Sequence, residues 1–186
     1  MDAVNERELI ESFLGGEQWA FEKLMSLHQE RIYRVARGLL GDHDRAADVT
    51  QEAFIRAFGS LKDFQFRSSF GTWLTRIALN LCFSQMRKDR LRRTLSLSDL
   101  AERLSTSRER PDRVLGRKDL AASIERALAG LPPKQRAVFL LRHYEELPYA
   151  QIADVMGRSE GAVRANYHQA VQKLRRSLEE SDDEEA

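Results

Sequence analysis

Apolar residues recur three and four positions apart through most of this chain of 186 residues, the period of helices that bury one face. Prolines number only 4 and β-branched runs are short, so the pattern predicts an all-α protein. The first helix runs from about Glu6 to Leu14 and stops at Gly15-Gly16. A second spans about Trp19 to Leu40, with Phe21, Leu24, Ile32, Val35 and Leu39 on or near one face. Asp42 or Asp44 then caps a third, about Arg45 to Phe58, with Ala46, Val49, Ala53, Phe54 and Ala57 inward. A loop-like stretch from Gly59 to Ser69 leads into a fourth helix, about Phe70 to Arg90, stacking Trp73, Ile77 and Leu81 at intervals of four.

Between 92 and 113 the period is lost in a run of Ser, Thr, Arg and Glu, which reads as a linker. Helical pattern resumes at about Asp112 and continues to Gly130. Pro132-Pro133 then opens a helix from about Lys134 to Tyr144, proline being favoured in a first helical turn. Next comes Tyr149-Ala-Gln-Ile-Ala-Asp-Val-Met-Gly-Arg-Ser-Glu-Gly-Ala-Val-Arg-Ala-Asn-Tyr-His168. Ala153 is small where two helices must touch, Gly157 suits a left-handed turn, and Val163 falls on the inward face of the following helix. That is the spacing of a helix-turn-helix, whose second helix enters the DNA major groove. The chain thus divides into two small helical domains, 1–91 and 114–178, a linker at 92–113 and an acidic tail at 179–186.

Charge sharpens this division, because the net +1 conceals blocks of opposite sign. Residues 1–63 carry 8 Lys and Arg against 12 Asp and Glu, whereas residues 64–118 carry 13 against 5. The tail holds six acids and no base. An acidic front and a basic centre suit different partners, one of them an anion. The lone Cys82 excludes an internal disulfide and sits in an apolar helix, as a core residue does. No apolar run approaches a membrane span and no leader opens the chain, so a soluble cytoplasmic protein is expected. The four His residues are scattered without metal-ligand spacing, and neither a phosphate-cradling glycine loop nor a serine elbow occurs. No catalytic residue, metal or cofactor is therefore expected.

Two constellations carry the candidate chemistry. On the recognition helix Ser159 is placed to cap, while Arg164, Ala165, Asn166, His168 and Gln169 lie on or beside the outward face. Arg matches the two acceptors of guanine, and Asn or Gln matches the donor–acceptor pair of adenine. Lys173, Arg175 and Arg176 follow as phosphate contacts, and Tyr167 falls on the packed side. The bland alternative is a helical hairpin used for protein contact. The second constellation is Phe64-Gln-Phe-Arg-Ser-Ser-Phe-Gly-Thr-Trp-Leu-Thr-Arg-Ile-Ala-Leu-Asn80 with the basic run Arg87 to Arg93. Aromatic rings among cations suit single-stranded nucleic acid, where rings stack on unpaired bases. A core of Phe70 and Trp73 beside a solvated arginine face explains that stretch equally well.

Taken together and in this order, the segments resemble the extracytoplasmic-function (ECF) sigma factors, the minimal members of the sigma-70 family of bacterial RNA polymerase. Asp44 to Phe58 resembles the family's polymerase-binding helix, Phe70 to Asn80 its promoter-melting helix, and Leu131 to His168 its upstream-element domain. The resemblance implies that Asp48, Gln51 and Glu52 contact core polymerase. It implies that Phe64, Arg67, Phe70, Trp73, Arg76, Asn80, Arg87 and Lys88 hold the opened −10 strand, with Asn80 and the loop from Leu61 to Ser69 gripping an extruded base. Ser159, Arg164, Ala165, Asn166, His168, Gln169, Lys173 and Arg175 would then face the −35 duplex. Core polymerase, promoter DNA and an anti-sigma factor are the partners it implies. Pro148 stands where relatives often carry a capping Ser or Thr, and Ala165-Asn166 where many have Ser-Arg, so no promoter consensus transfers. The rivals are a stand-alone helix-turn-helix repressor, which binds duplex without polymerase, and a nucleic-acid enzyme, which lacks a credible catalytic arrangement.

Overall fold

The computed structural model describes residues 5–99 and 117–183, and every regular element among them is helical. Helix α1 (Glu6–Leu14) starts at Asn5, whose side chain accepts the Arg7 amide. Helix α2 (Gln18–Leu40) ends at Gly41, which takes a left-handed φ of 71° that a Cβ would oppose. Asp42 caps α3 (His43–Ser60) by accepting the Arg45 amide at 2.9 Å. A short 3-10 turn (Leu61–Asp63) and an extended loop lead into α4 (Phe70–Asp99).

Helix α2 is the spine of the first lobe. Leu24, Ile32, Val35 and Leu39 are buried along it, meeting Val49 and Phe54 of α3 and Leu74, Leu79 and Cys82 of α4. Each such side chain contributes about 1.5–3 kcal/mol by leaving water. One end is closed by aromatic edges, with Phe58 5.0 Å from Phe13 and 5.1 Å from Phe21 between ring centroids. The other end is tied by Arg45, which reaches across to Asp89 and Gln85 of α4.

The second lobe comprises α5 (Arg117–Gly130), α6 (Pro133–His143), α7 (Tyr149–Met156) and α8 (Glu160–Asp183). Ala127, Leu128 and Leu131 pack on Ala170 and Leu174 of α8. The remaining apolar face of this lobe does not close on itself. Val138, Leu141, Ile152, Val155 and Val163 join the buried residues of the first lobe in one continuous cluster, because α6 lies against α2 and α7 against α4.

Three boundaries differ from the periodicity reading. Helix α4 continues to Asp99, into the stretch expected to be linker, because Arg and Leu are good helix formers and neither Gly nor Pro interrupts them. Helix α8 likewise runs through the first acids of the tail to Asp183. The 3-10 turn adds order to the expected loop. The rest of the expected linker, 100–113, lies outside the described residues, as do the last three of the tail.

Candidate nucleic-acid interface

The loop between α3 and α4 is held in place by α1. Phe66 adopts φ 53°, a left-handed conformation costly for a large side chain, so its neighbours must fix it. The Arg7 guanidinium sits 4.6 Å from the centre of its ring, and Phe64 packs 4.9 Å away on another side. One residue earlier in α1, Glu6 accepts a hydrogen bond from the Phe70 amide at 3.2 Å, capping α4 from outside the helix. The same carboxylate meets His28 Nε2 at 2.9 Å. The His28 bond, seconded by charge and the Phe70 amide, holds the Glu6 carboxyl below the usual range despite some burial. Gly71 permits this closeness, since a Cβ there would meet the His28 ring at 2.9 Å.

The aromatic residues of this site divide by depth. Phe70 is 1% exposed and belongs to the core, stacked at 5.3 Å on His28, so its expected role of stacking on a melted base is corrected. Its amphipathic position, first in a helix and flanked by Ser69 and Gly71, left depth unreadable from sequence. Trp73 and Phe64 are half-buried, 5.0 Å apart, each keeping part of a face outward. Phe66, at 36% exposure, is the ring that the sequence reading did not single out; its signal was the alternation Phe64-Gln-Phe66. Beyond them Arg67, Arg76, Asn80, Arg87 and Lys88 are all exposed. At 3.6 residues per turn, Trp73, Arg76, Asn80 and Arg87 fall within roughly 60° of one line along α4. The arrangement is a ring-edged loop continued by a polar, cationic helix face.

On α3, Asp48 and Gln51 are exposed, while Glu52 is paired with Arg56 at 2.7 Å. Ile55 at 57% exposure and Phe58 at 50% extend this face one and two turns further. Acids beside uncovered apolar side chains make a surface suited to a protein partner rather than to DNA. The two apolar members were missed because they merge with the inward stripe when only spacing is read.

The helix-turn-helix forms through α7 and α8. Pro148 stands at the N-cap of α7 without a side-chain bond, Gly157 turns the chain at φ 60°, and Ser159 Oγ accepts the Ala162 amide at 3.3 Å. Val163 is buried, and Tyr167 packs 6.1 Å from Phe139 and 5.9 Å from Tyr149. Arg164, Ala165, His168, Lys173 and Arg175 are all exposed along α8. Arg164 is preorganised by Glu160 and by the Tyr149 ring, 4.4 Å from its guanidinium. Two expected readers are engaged elsewhere. Gln169 accepts from Gln135 of α6 at 2.7 Å, and half-buried Asn166 donates to the Ala162 carbonyl of its own helix at 2.7 Å. Either must release that bond before it can pair with adenine through both of its amide atoms.

Other features bear on chemistry. Burial pushes the Cys82 thiol up to about 12, so it is protonated at neutral pH and is no nucleophile. Among the described residues no group of three or more His, Cys, Asp or Glu could hold a metal ion. No helix among them is long and apolar enough to cross a membrane.

Comparison with known proteins places this geometry. Residues 24–92 match the family described as sigma-70 region 2, and residues 121–174 match sigma-70, region 4. The RNA polymerase sigma-H factor of Pseudomonas aeruginosa is 31% identical over 182 residues, covering 94% of each chain. The ECF RNA polymerase sigma factor SigE of Mycolicibacterium smegmatis is 34% identical over 167 residues, 90% of this chain and 65% of that longer relative. Among solved structures, CnrH in complex with the cytosolic domain of CnrY is 26% identical. It superposes with a TM-score of 0.71 over 94% of this chain and 97% of that one. The sigma factor RpoE of Bartonella quintana, in complex with the anti-sigma factor NepR, is 25% identical, with a TM-score of 0.66 over 86% and 96%.

Proposed function

The chain belongs to the ECF sigma factors of the sigma-70 family, and from that premise we propose that it carries core RNA polymerase to a class of promoters and helps part the strands there. The observation that carries this reading is the presence in one chain, in order, of the ring-edged loop with its cationic helix and the helix-turn-helix. The acidic and apolar face of α3 is the polymerase contact. The recognition helix docks in the −35 major groove, with Arg164 as a base reader and Lys173 and Arg175 on phosphate. At the −10 element a base leaves the stack, at a cost of a few kcal/mol. Stacking on Phe66, Phe64 and Trp73 offsets it, at about 1–3 kcal/mol per base. Arg76, Asn80, Arg87 and Lys88 hold the backbone of the opened strand. The protein works in the cytoplasm, performs no covalent step, and has an anti-sigma factor as its natural restraint, as RpoE has NepR.

A stand-alone repressor is disfavoured, since the whole first lobe would then lack a task. Transcription in vitro with core polymerase and a promoter library tests the proposal. The expected result is start-site selection that appears only when this protein is added. Tight duplex binding by the free chain together with no selected start sites would refute it.

A further inference from the structure

The promoter-opening reading gives helix α1 no task, yet α1 reaches the loop between α3 and α4 at three points. At the loop's start it packs against the 3-10 turn of Leu61–Asp63. At the middle the Arg7 guanidinium lies 4.6 Å from the centre of the Phe66 ring. At the end Glu6 accepts the Phe70 amide at 3.2 Å, its carboxylate braced by His28 Nε2 of α2 at 2.9 Å. The helix that makes these contacts is itself anchored, since Leu9 and Ile10 are buried in the core and Asn5 caps its first turn.

Phe66 depends on outside support. A bulky side chain at φ 53° is disfavoured by its own backbone, and at 36% exposure the core does not enclose it. Its ring is flanked by Phe64 at 4.9 Å and by Arg7. Phe64 belongs to the same loop and moves with it. Arg7 belongs to a different element and ties the ring to the core.

We propose that Arg7 is a positioning residue for strand capture: from α1 it holds the Phe66 ring where the base extruded from the −10 strand stacks. The inference rests on the function proposed above and deepens it. It gives the base-capturing pocket a member that precedes residues 24–92, the stretch matched to sigma-70 region 2. Arg7 acts through the ring and not as a clamp on phosphate. Glu6 and Glu8 share its helical turn, and Glu11 Oε1 stands 3.7 Å from its Nε. Acids so placed offset its charge and repel a phosphate at this end of the site.

The size of the effect follows from populations. A cation over an exposed ring is a weak contact, enough to shift the balance between held and displaced rings by about two- to fivefold. Only the held ring receives the base, so apparent affinity for the strand falls with the held fraction.

The test titrates the polymerase complex against a labelled single strand of the −10 sequence found by start-site selection. The Arg7 side chain is 63% exposed, so Arg7→Ala keeps the fold, which its thermal midpoint checks. The variant should bind the intact strand about two- to fivefold more weakly. On strands with one abasic site at each position in turn, that loss should vanish at the position of the extruded base and persist elsewhere. In a Phe66→Ala background Arg7→Ala should cost nothing further, because the ring it acts through is gone. Wild-type affinity for Arg7→Ala would overturn the proposal. So would a loss that persists on every abasic strand or in the Phe66→Ala background; a salt slope reduced by about 0.7 would then mark a phosphate contact instead. Start-site selection by the wild-type complex reads the underlying function separately. Its absence would end that reading, whereas intact selection with an inert Arg7→Ala ends only this one.

Discussion

Two phenylalanines four residues apart should respond oppositely to truncation. Phe70 is enclosed by His28, Phe64 and Trp73, with ring centroids at 5.3, 6.4 and 5.8 Å. Phe70→Ala removes a whole ring from a close-packed core and should cost about 3–5 kcal/mol of stability. Phe66 is flanked by Arg7 and Phe64, at 4.6 and 4.9 Å. Phe66→Ala forfeits a partly exposed cation–π contact of about 0.5–1 kcal/mol. Relief from its left-handed backbone is small because alanine shares that penalty, so stability should fall by about 1 kcal/mol or less. If the exposed ring stacks on an unpaired base, Phe66→Ala should instead weaken capture of the melted strand by about 1–3 kcal/mol, roughly 5- to 150-fold. Urea unfolding of the free chain gives the first quantity. Anisotropy of a labelled single strand bound to the polymerase complex gives the second. Equal stability losses in the two variants, or a Phe66→Ala complex that holds the strand at wild-type strength, would refute the division of this cluster into core and contact.

Reversing charge at Asp48 and Glu52 should weaken association with core polymerase and leave the thermal midpoint nearly unchanged. The surface pair Glu52–Arg56 is worth about 1 kcal/mol at most; titration with core enzyme checks the first effect and calorimetry the second. Lys173→Ala should lower duplex affinity evenly across sequences and reduce the salt slope by about one, whereas Arg164→Ala should relax preference at one position by about 1–3 kcal/mol. Binding-site selection at two salt concentrations separates them, and identical behaviour would void the distinction. Glu6→Gln should destabilise the protein at neutral pH by loosening the cap on α4. The Glu6 carboxyl is held below the usual value of a glutamate, so its contribution is present above that usual value and fades as pH falls through the lower folded one. The gap in thermal midpoint between wild type and Glu6→Gln should therefore be widest near neutrality and close in that acid range. A gap independent of pH would show that the carboxylate charge is not what stabilises.

Periodicity made the helices legible because each lobe buries one stripe per helix, and the turns were legible because Gly41, Asp42 and Gly157 are residues with few other uses there. Depth within an aromatic cluster was not. Phe64, Phe66, Phe70 and Trp73 offer four rings in ten residues, and hydrophobicity alone does not say which ring turns outward. That choice is made by Glu6 and Arg7, some sixty residues earlier, which clamp the loop from α1. Asn166 and Gln169 are ambiguous in sequence for a related reason: amide side chains suit adenine, but they suit a helix carbonyl or a neighbouring Gln135 just as well.

The joint between the lobes was the least visible feature in the sequence, and charge explains why. Arg31 and Arg34 stand three residues apart on α2, a spacing that reads as a solvated basic edge. Their meaning depends on Glu145, more than a hundred residues away, in a turn whose composition signals only a helix end. A stripe that is polar in one lobe and finds one buried acid in the other has no signature in local pattern. The blocky charge map contains it only in aggregate, as an acidic first lobe whose inner edge is nonetheless basic. One acid buried in the second lobe thus fixes the meaning of two arginines in the first, a relation that exists only in the assembled fold.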